Sequence, residues 1–204
     1  MAFLNALFTA ALDNNLVFAQ MIGMVAAIAA ACRPQGAFRL AGTLGLVAFV
    51  AAAVGWPLYS GLLLPWGISY LAPVAYMLVG AATAYVAATV SGRGEPGHTR
   101  NRLLAESALA GVCAVSVGAP LMNEAALAAA SAGTGLPLDA ALGTAVGAGF
   151  GVFLAVVLFV FARSRVDDRL VPKAMRGLPI SIVTASLMAL AFTGVAGVAA
   201  GLFA

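Results

Sequence analysis

The stretch ALDNNLVFAQMIGMVA, residues 11–26, sets an acid, two adjacent amides and a glutamine inside a run that is otherwise apolar. In lipid such groups are costly, so they face a protein interior or a water-filled cavity. A second stretch of this kind, GAPLMNEAA at residues 118–126, follows about a hundred residues later. Around them the chain is 63% hydrophobic and only 8% charged, with a mean hydropathy of +1.06. A soluble domain carries roughly a quarter charged residues. The composition therefore defines an integral membrane protein. Barrel strands would alternate in polarity over segments of about ten residues, and no such alternation is present. The net charge of +3 is too small, and too confined to connections, for nucleic-acid binding.

Hydropathy predicts six helical spans, near residues 3–31, 40–57, 68–90, 103–132, 138–161 and 178–203. All ten basic residues lie in three connections: Arg33 and Arg39; Arg93, Arg100 and Arg102; and Arg163, Arg165, Arg169, Lys173 and Arg176. These are the first, third and fifth connections, so the positive-inside rule makes them cytoplasmic and sets both termini outside. Trp56, Tyr59 and Trp66 cluster at the second connection, where an outer aromatic belt would sit. No basic residue precedes the first apolar run, and Asp13-Asn14-Asn15 interrupts it, so no cleaved signal peptide is expected.

Three spans lie on each side of Arg102, an odd number. Residues 1–102 and 103–204 therefore enter the membrane in opposite senses, which is the arithmetic of an inverted repeat. Spans one and four are the longest, and only they carry amides and acids in their interiors. A thirty-residue helix runs ~45 Å against a core of ~30 Å. Gly23 in span one and the Gly118-Ala119-Pro120 run in span four predict breaks near the midplane. Gly143, Gly147 and Gly151 recur every four residues, as do Gly197 and Gly201, a spacing that lets helices approach closely. The run Gly147-Ala148-Gly149-Phe150-Gly151 is no dinucleotide loop, because no strand precedes it.

The candidates for an ion or proton pathway are Asp13, Asn14, Asn15, Asn123 and Glu124. Asp13 is either a relay near the midplane or an acid of the outer vestibule. Glu124 either carries a cation or proton or pairs with a base from a partner. The three asparagines suit loose backbone groups at the breaks. Gln20 reads as an interhelical hydrogen bond, Glu106 as a helix-start acid, and His98 as a solvated loop residue facing water or anionic lipid. Cys32 and Cys113 form no metal-spacing motif and read as buried thiols. No nucleophile set or phosphate loop is present, so nothing in the residues themselves marks the chain as the seat of catalysis.

The C-terminal region carries a family likeness. Val171-Pro172, Arg176-Gly177, the run IVTASLMALAF from Ile182 to Phe192, then Gly194 and Gly197, resemble the RnfA/NqrE membrane subunits of Rnf and sodium-pumping NADH–quinone reductase complexes. Asn15 with Gly23-Met24, and Asn123, are similar to that family's first- and fourth-span patterns. The resemblance implies a bacterial inner-membrane subunit of an electron-transport complex coupled to ion movement. It implies a homologous six-span partner of opposite orientation, and further redox subunits. It also implies a two-iron two-sulfur cluster held between the two chains, each giving two cysteines. At the positions matched to those ligands this chain has Val25 and Glu124, which the repeat makes equivalent, so it is expected to bind no cluster and no metal itself. Two other readings remain: a small transporter or channel on the same repeat, and a cluster-free assembly scaffold.

Overall fold

The computed structural model describes residues 2–31, 36–91, 115–129, 138–167 and 169–203. Among these the regular structure is entirely helical, with no strand. α1 (Ala2–Phe8) runs on as a wider π-helical turn (Thr9–Asp13) and stops. After an irregular segment, α2 (Met24–Ala31) resumes. α3 (Ala37–Leu58) continues through Pro57 into a second π-helical turn (Tyr59–Leu63). α4 is Ala72–Ser91, α5 Val115–Ala129, α6 Leu138–Ser164 and α7 Leu178–Phe203. Among the described residues four helical stretches are long and apolar enough to cross a membrane: Ala37–Leu63, Ser69–Ala87, Leu138–Ser164 and Leu178–Val195. The molecule is thus an all-α integral membrane protein.

α6 is the centre of the bundle, and its glycines explain how. A Cβ on Gly143 would stand 2.5 Å from the Phe3 carbonyl oxygen, and one on Gly151 2.9 Å from Ala11 Cα. At Gly147 it would collide with the carbonyl of Leu7. This stripe therefore brings the backbone of the first span directly onto α6. Gly149 looks the other way: a Cβ on Gly45 of α3 would lie 2.7 Å from its carbonyl oxygen. The run that imitates a nucleotide loop in sequence is a helix clasped on two faces. The surroundings of Gly197 and Gly201 fall outside the described residues.

Phe38 near the start of α3 packs edge-on against Phe161 near the end of α6, with ring centroids 5.9 Å apart. The two helices are therefore antiparallel, and Arg39 and Arg163 lie at one end of the bundle. α4 and α7 sit outside, with Leu78, Tyr85, Leu187 and Leu190 all more than 60% exposed. Their hydroxyl groups mostly bond back to their own helices, as Thr83 does to the Val79 carbonyl and Thr184 to that of Ile180. Such faces suit hydrocarbon or another helix.

The first span breaks where its amides lie. The Asn14 N–H reaches back five residues to the Thr9 carbonyl at 2.7 Å, which widens the helix. Asn15 then supplies side-chain groups in place of the ladder, the local competition for which short polar side chains are known. Met21 (φ 57°) and Gly23 (φ 87°) turn the chain into α2. The break thus covers residues 14–23, and Gly23 closes it instead of opening it. Span four corrects the expectation outright over Gly118-Ala119-Pro120. α5 runs unbroken from Val115 to Ala129 with Pro120 inside it. Proline removes one ladder bond but does not end a helix whose neighbours hold it. Here Pro120 is buried against Gly55, whose Cβ would come within 2.7 Å of it.

Candidate functional site

Asn15 is wholly buried and uses its full bonding capacity on backbone. Its Nδ2 donates to the carbonyls of Ala11 (2.7 Å) and Gly151 (3.0 Å). Its Oδ1 accepts from the N–H groups of Val17 (2.9 Å) and Phe18 (3.3 Å). One side chain therefore caps the end of the first helix, nucleates the next turn and ties both to α6. Leu16, Val17 and Phe18 turn inward, with Phe18 4.7 Å from the Phe192 ring. Asn14 and Asp13 are exposed at the same break, and Asn14 accepts from Gln20 Nε2 at 2.8 Å. Gln20 bonds within its own segment and not to another helix.

The start of α5 packs on this break. A Cβ on Gly23 would stand 2.5 Å from Val115 Cγ2, and one on Gly118 3.0 Å from Ile22 and 3.1 Å from Leu16. Glu124 lies nine residues beyond Val115, or ~13 Å along the axis. The structure therefore does not set Glu124 beside Val25. The α5 residues that meet the break are Val115 and Gly118, and Val25 itself is 77% exposed.

Glu124 belongs instead to a junction of α3, α4 and α5. The Tyr76 hydroxyl donates to its Oε1. Tyr76 is fully buried, one turn into α4, and its ring stands 3.1 Å from where a Gly55 Cβ would be. Beside Glu124, Asn123 is 2% exposed and donates from Nδ2 to the Ala52 carbonyl at 3.3 Å. Its Oδ1 is buried without a partner, and so is the indole Nε1 of Trp56. Hydropathy and motif spacing alone pass over Tyr76. A signal for it exists in the sequence all the same: a phenol inside an apolar span needs an acceptor, and intramembrane carboxylates are few.

The five predicted residues thus fall into two groups, Asp13, Asn14 and Asn15 at the break and Asn123 with Glu124 at the junction. They share no hydrogen bond. The described donors do not fit an iron–sulfur cluster. Where α5 meets the break the side chains are methyl-bearing, and Glu124 is engaged by a phenol. Among the described residues no three of His, Cys, Asp and Glu converge as metal ligands. Cys32, Cys113, Glu106 and His98 lie outside the described residues.

Fold and site together define an all-α membrane protein built on an interrupted first helix, with a carboxylate held inside the bundle. The chain is 30% identical over 96% of its length to a subunit of the ion-translocating oxidoreductase complex of Syntrophotalea carbinolica, and 31% identical over 92% to the corresponding protein of Azotobacter vinelandii. It is 27% identical over 92% to a subunit of the Na(+)-translocating ferredoxin:NAD(+) oxidoreductase complex of Acetobacterium woodii. In each case it covers at least 93% of the relative. No family model matches the chain. The chain belongs to the RnfA/NqrE family of membrane subunits.

Proposed function

We propose that the chain is an integral membrane subunit of an ion-translocating oxidoreductase complex, which couples electron transfer to ion movement. The observation that carries this is likeness to subunits of that name along nearly the whole of both chains. A scaffold with a hydrogen-bonded carboxylate between its helices suits such a role. Purification of the native protein from its membrane tests it: redox subunits should co-purify. Recovery as a lone monomer from membranes active in electron transport would sink it.

The finer reading is six spans in two inverted halves, 1–102 and 103–204, in the bacterial inner membrane with both termini outside. A homologous subunit of opposite orientation would cover the exposed faces. The break at 14–23 and the gathering of Arg39 and Arg163 at one end support this reading. Cysteines placed at Ser60 and Gly135 should react with impermeant reagents from outside, and one at Gly97 only from inside. Reversed labelling would refute that orientation. In this reading the chain gives no iron ligand, and any cluster at the complex midplane is held by other subunits. The polar groups that serve ion movement are Asp13 and Asn14 at the exposed side of the break, and Asn123 with Glu124 at the junction, while Asn15 holds the break in shape. A transporter acting alone is the other reading that Glu124 favours, and ion flux through liposomes holding only this chain would establish it.

A further inference from the structure

We propose that Glu124, Tyr76 and Asn123 form a binding site for one alkali cation of sodium size where α3, α4 and α5 meet; this deepens the reading of the chain as part of an ion-translocating complex. The first argument is charge. The described basic residues, Arg39 and those from Arg163 to Arg176, sit at the α3 start and the α6–α7 connection. Glu124 lies further along the bundle, at the level of Ala52 and Gly55, which follow Arg39 by thirteen and sixteen residues on α3. Thirteen residues of helix are ~20 Å. None of these bases neutralises the carboxylate, and a phenol contributes only a dipole. A carboxylate inside a membrane protein is accompanied by a cation or another compensating charge.

The second argument is the donor set. Asn123 donates through its amide nitrogen to the Ala52 carbonyl, and only the nitrogen can face a carbonyl oxygen there. That choice leaves Oδ1 as an oxygen at the same junction, buried and without a donor. Buried carbonyl oxygens are rarely left so. Tyr76, Pro120 and the Asn123 amide converge on the single turn of α3 from Ala52 to Gly55. Carboxylate, amide carbonyl and phenol oxygen are hard donors, the kind that hold hard cations and not thiolate-loving metals. In membrane transporters such oxygens, near the midplane or helix ends, coordinate sodium or accept protons. Tyr76 acts as a positioning residue, since its hydroxyl fixes one carboxylate oxygen and leaves the other for the ion.

Trp56 follows Gly55 directly and its indole nitrogen is buried at this level, so it reports on the junction. The chain has two tryptophans, and Trp66 is 72% exposed. The full chain carrying W66F, in lipid nanodiscs, is titrated with NaCl against choline chloride at constant ionic strength. The emission of Trp56 should change saturably with sodium and not with choline. Y76F should raise the midpoint about tenfold, the effect of losing one hydrogen bond to a charged group, and E124Q should abolish the response. Y76F keeps the buried ring, so it remains informative if E124Q unfolds. No saturable sodium response, or the same midpoint in Y76F and in folded E124Q, overturns the proposal. So does a response to pH alone, which would assign the site to a proton. Sodium binding by a chain that never joins a redox complex would leave the site standing and remove the function proposed above. An active complex containing a sodium-blind chain would do the reverse.

Discussion

Asn15 and Asn123 are the same residue type, each buried in a long apolar run, and the backbones around them differ completely. At Asn15 the helix opens, and the side chain spends itself on four backbone groups. At Asn123 the helix runs on, so only one amide bond crosses to α3 and an oxygen is left over. The difference teaches that an intramembrane amide serves structure where the backbone is loose and is free for a ligand where the ladder is complete. The neighbour follows the same rule. Glu124, on an intact helix, is met by a side chain from another span, whereas Asn14 at the break is met by Gln20 six residues on.

The largest expected effect breaks the first half of this comparison. Asn15→Leu has similar volume but strands the N–H groups of Val17 and Phe18 and the carbonyl of Gly151. Each buried unsatisfied group costs about 1–3 kcal/mol. The loss should therefore be about 3 kcal/mol or more, read as an earlier unfolding midpoint in mixed detergent micelles. A loss below about 1 kcal/mol would mean that the break holds without Asn15.

Gly147→Val comes next. The added side chain meets the Leu7 carbonyl and Ala10, so the first span must move off α6. Overpacking of this kind costs about 1–3 kcal/mol. Gly194→Ala is the control, because nothing lies within 4 Å of that position. Equal effects at both sites would refute the close approach of α1 and its π-helical turn to α6.

Pro120→Ala sharpens the second half. In a continuous helix the change restores a ladder bond, while it loses the ring packed near Gly55. A helical proline is worth about −3 kcal/mol, and two buried methylenes about +1.5 kcal/mol. The net result should be a modest stabilisation, about 1.5 kcal/mol, with the Tyr76–Glu124 bond kept. A strong loss would show that the helix depends on an interruption there.

Hydropathy locates α3, α4, α6 and α7 well because twenty apolar residues have few alternatives to a helix in lipid. Gly143, Gly147 and Gly151 are legible as a packing stripe for the same reason: spacing alone decides which face they share. The breaks are less legible. Proline and glycine at 118–120 weaken a helix, yet neighbours decide whether it gives way, and Gly55 and Tyr76 close around Pro120. Asn15 opens the first span with no proline nearby, since its effect depends on the Gly151 carbonyl, 136 residues away. The partner of Glu124 is hidden similarly, because Tyr76 is 48 residues distant and on another helix.

The smallest effect closes the comparison within one segment. Gln20 lies five residues after Asn15, on the exposed side of the same break, and its amide bonds Asn14 at 2.8 Å. Both partners are accessible, so neither is stranded when the other is removed. Interhelical polar bonds measured in a membrane protein average about 0.6 kcal/mol, and this bond is more exposed than most. Gln20→Leu should therefore shift the unfolding midpoint by no more than about 0.5 kcal/mol in micelles, where water or detergent replaces the amide. If Gln20→Leu costs as much as Asn15→Leu, the break is held by its outer clasp, and the contrast between a buried structural amide and an exposed dispensable one fails at its source. A small effect on the isolated chain together with a large one on complex assembly would instead place the exposed side of the break against a neighbouring protein of the complex.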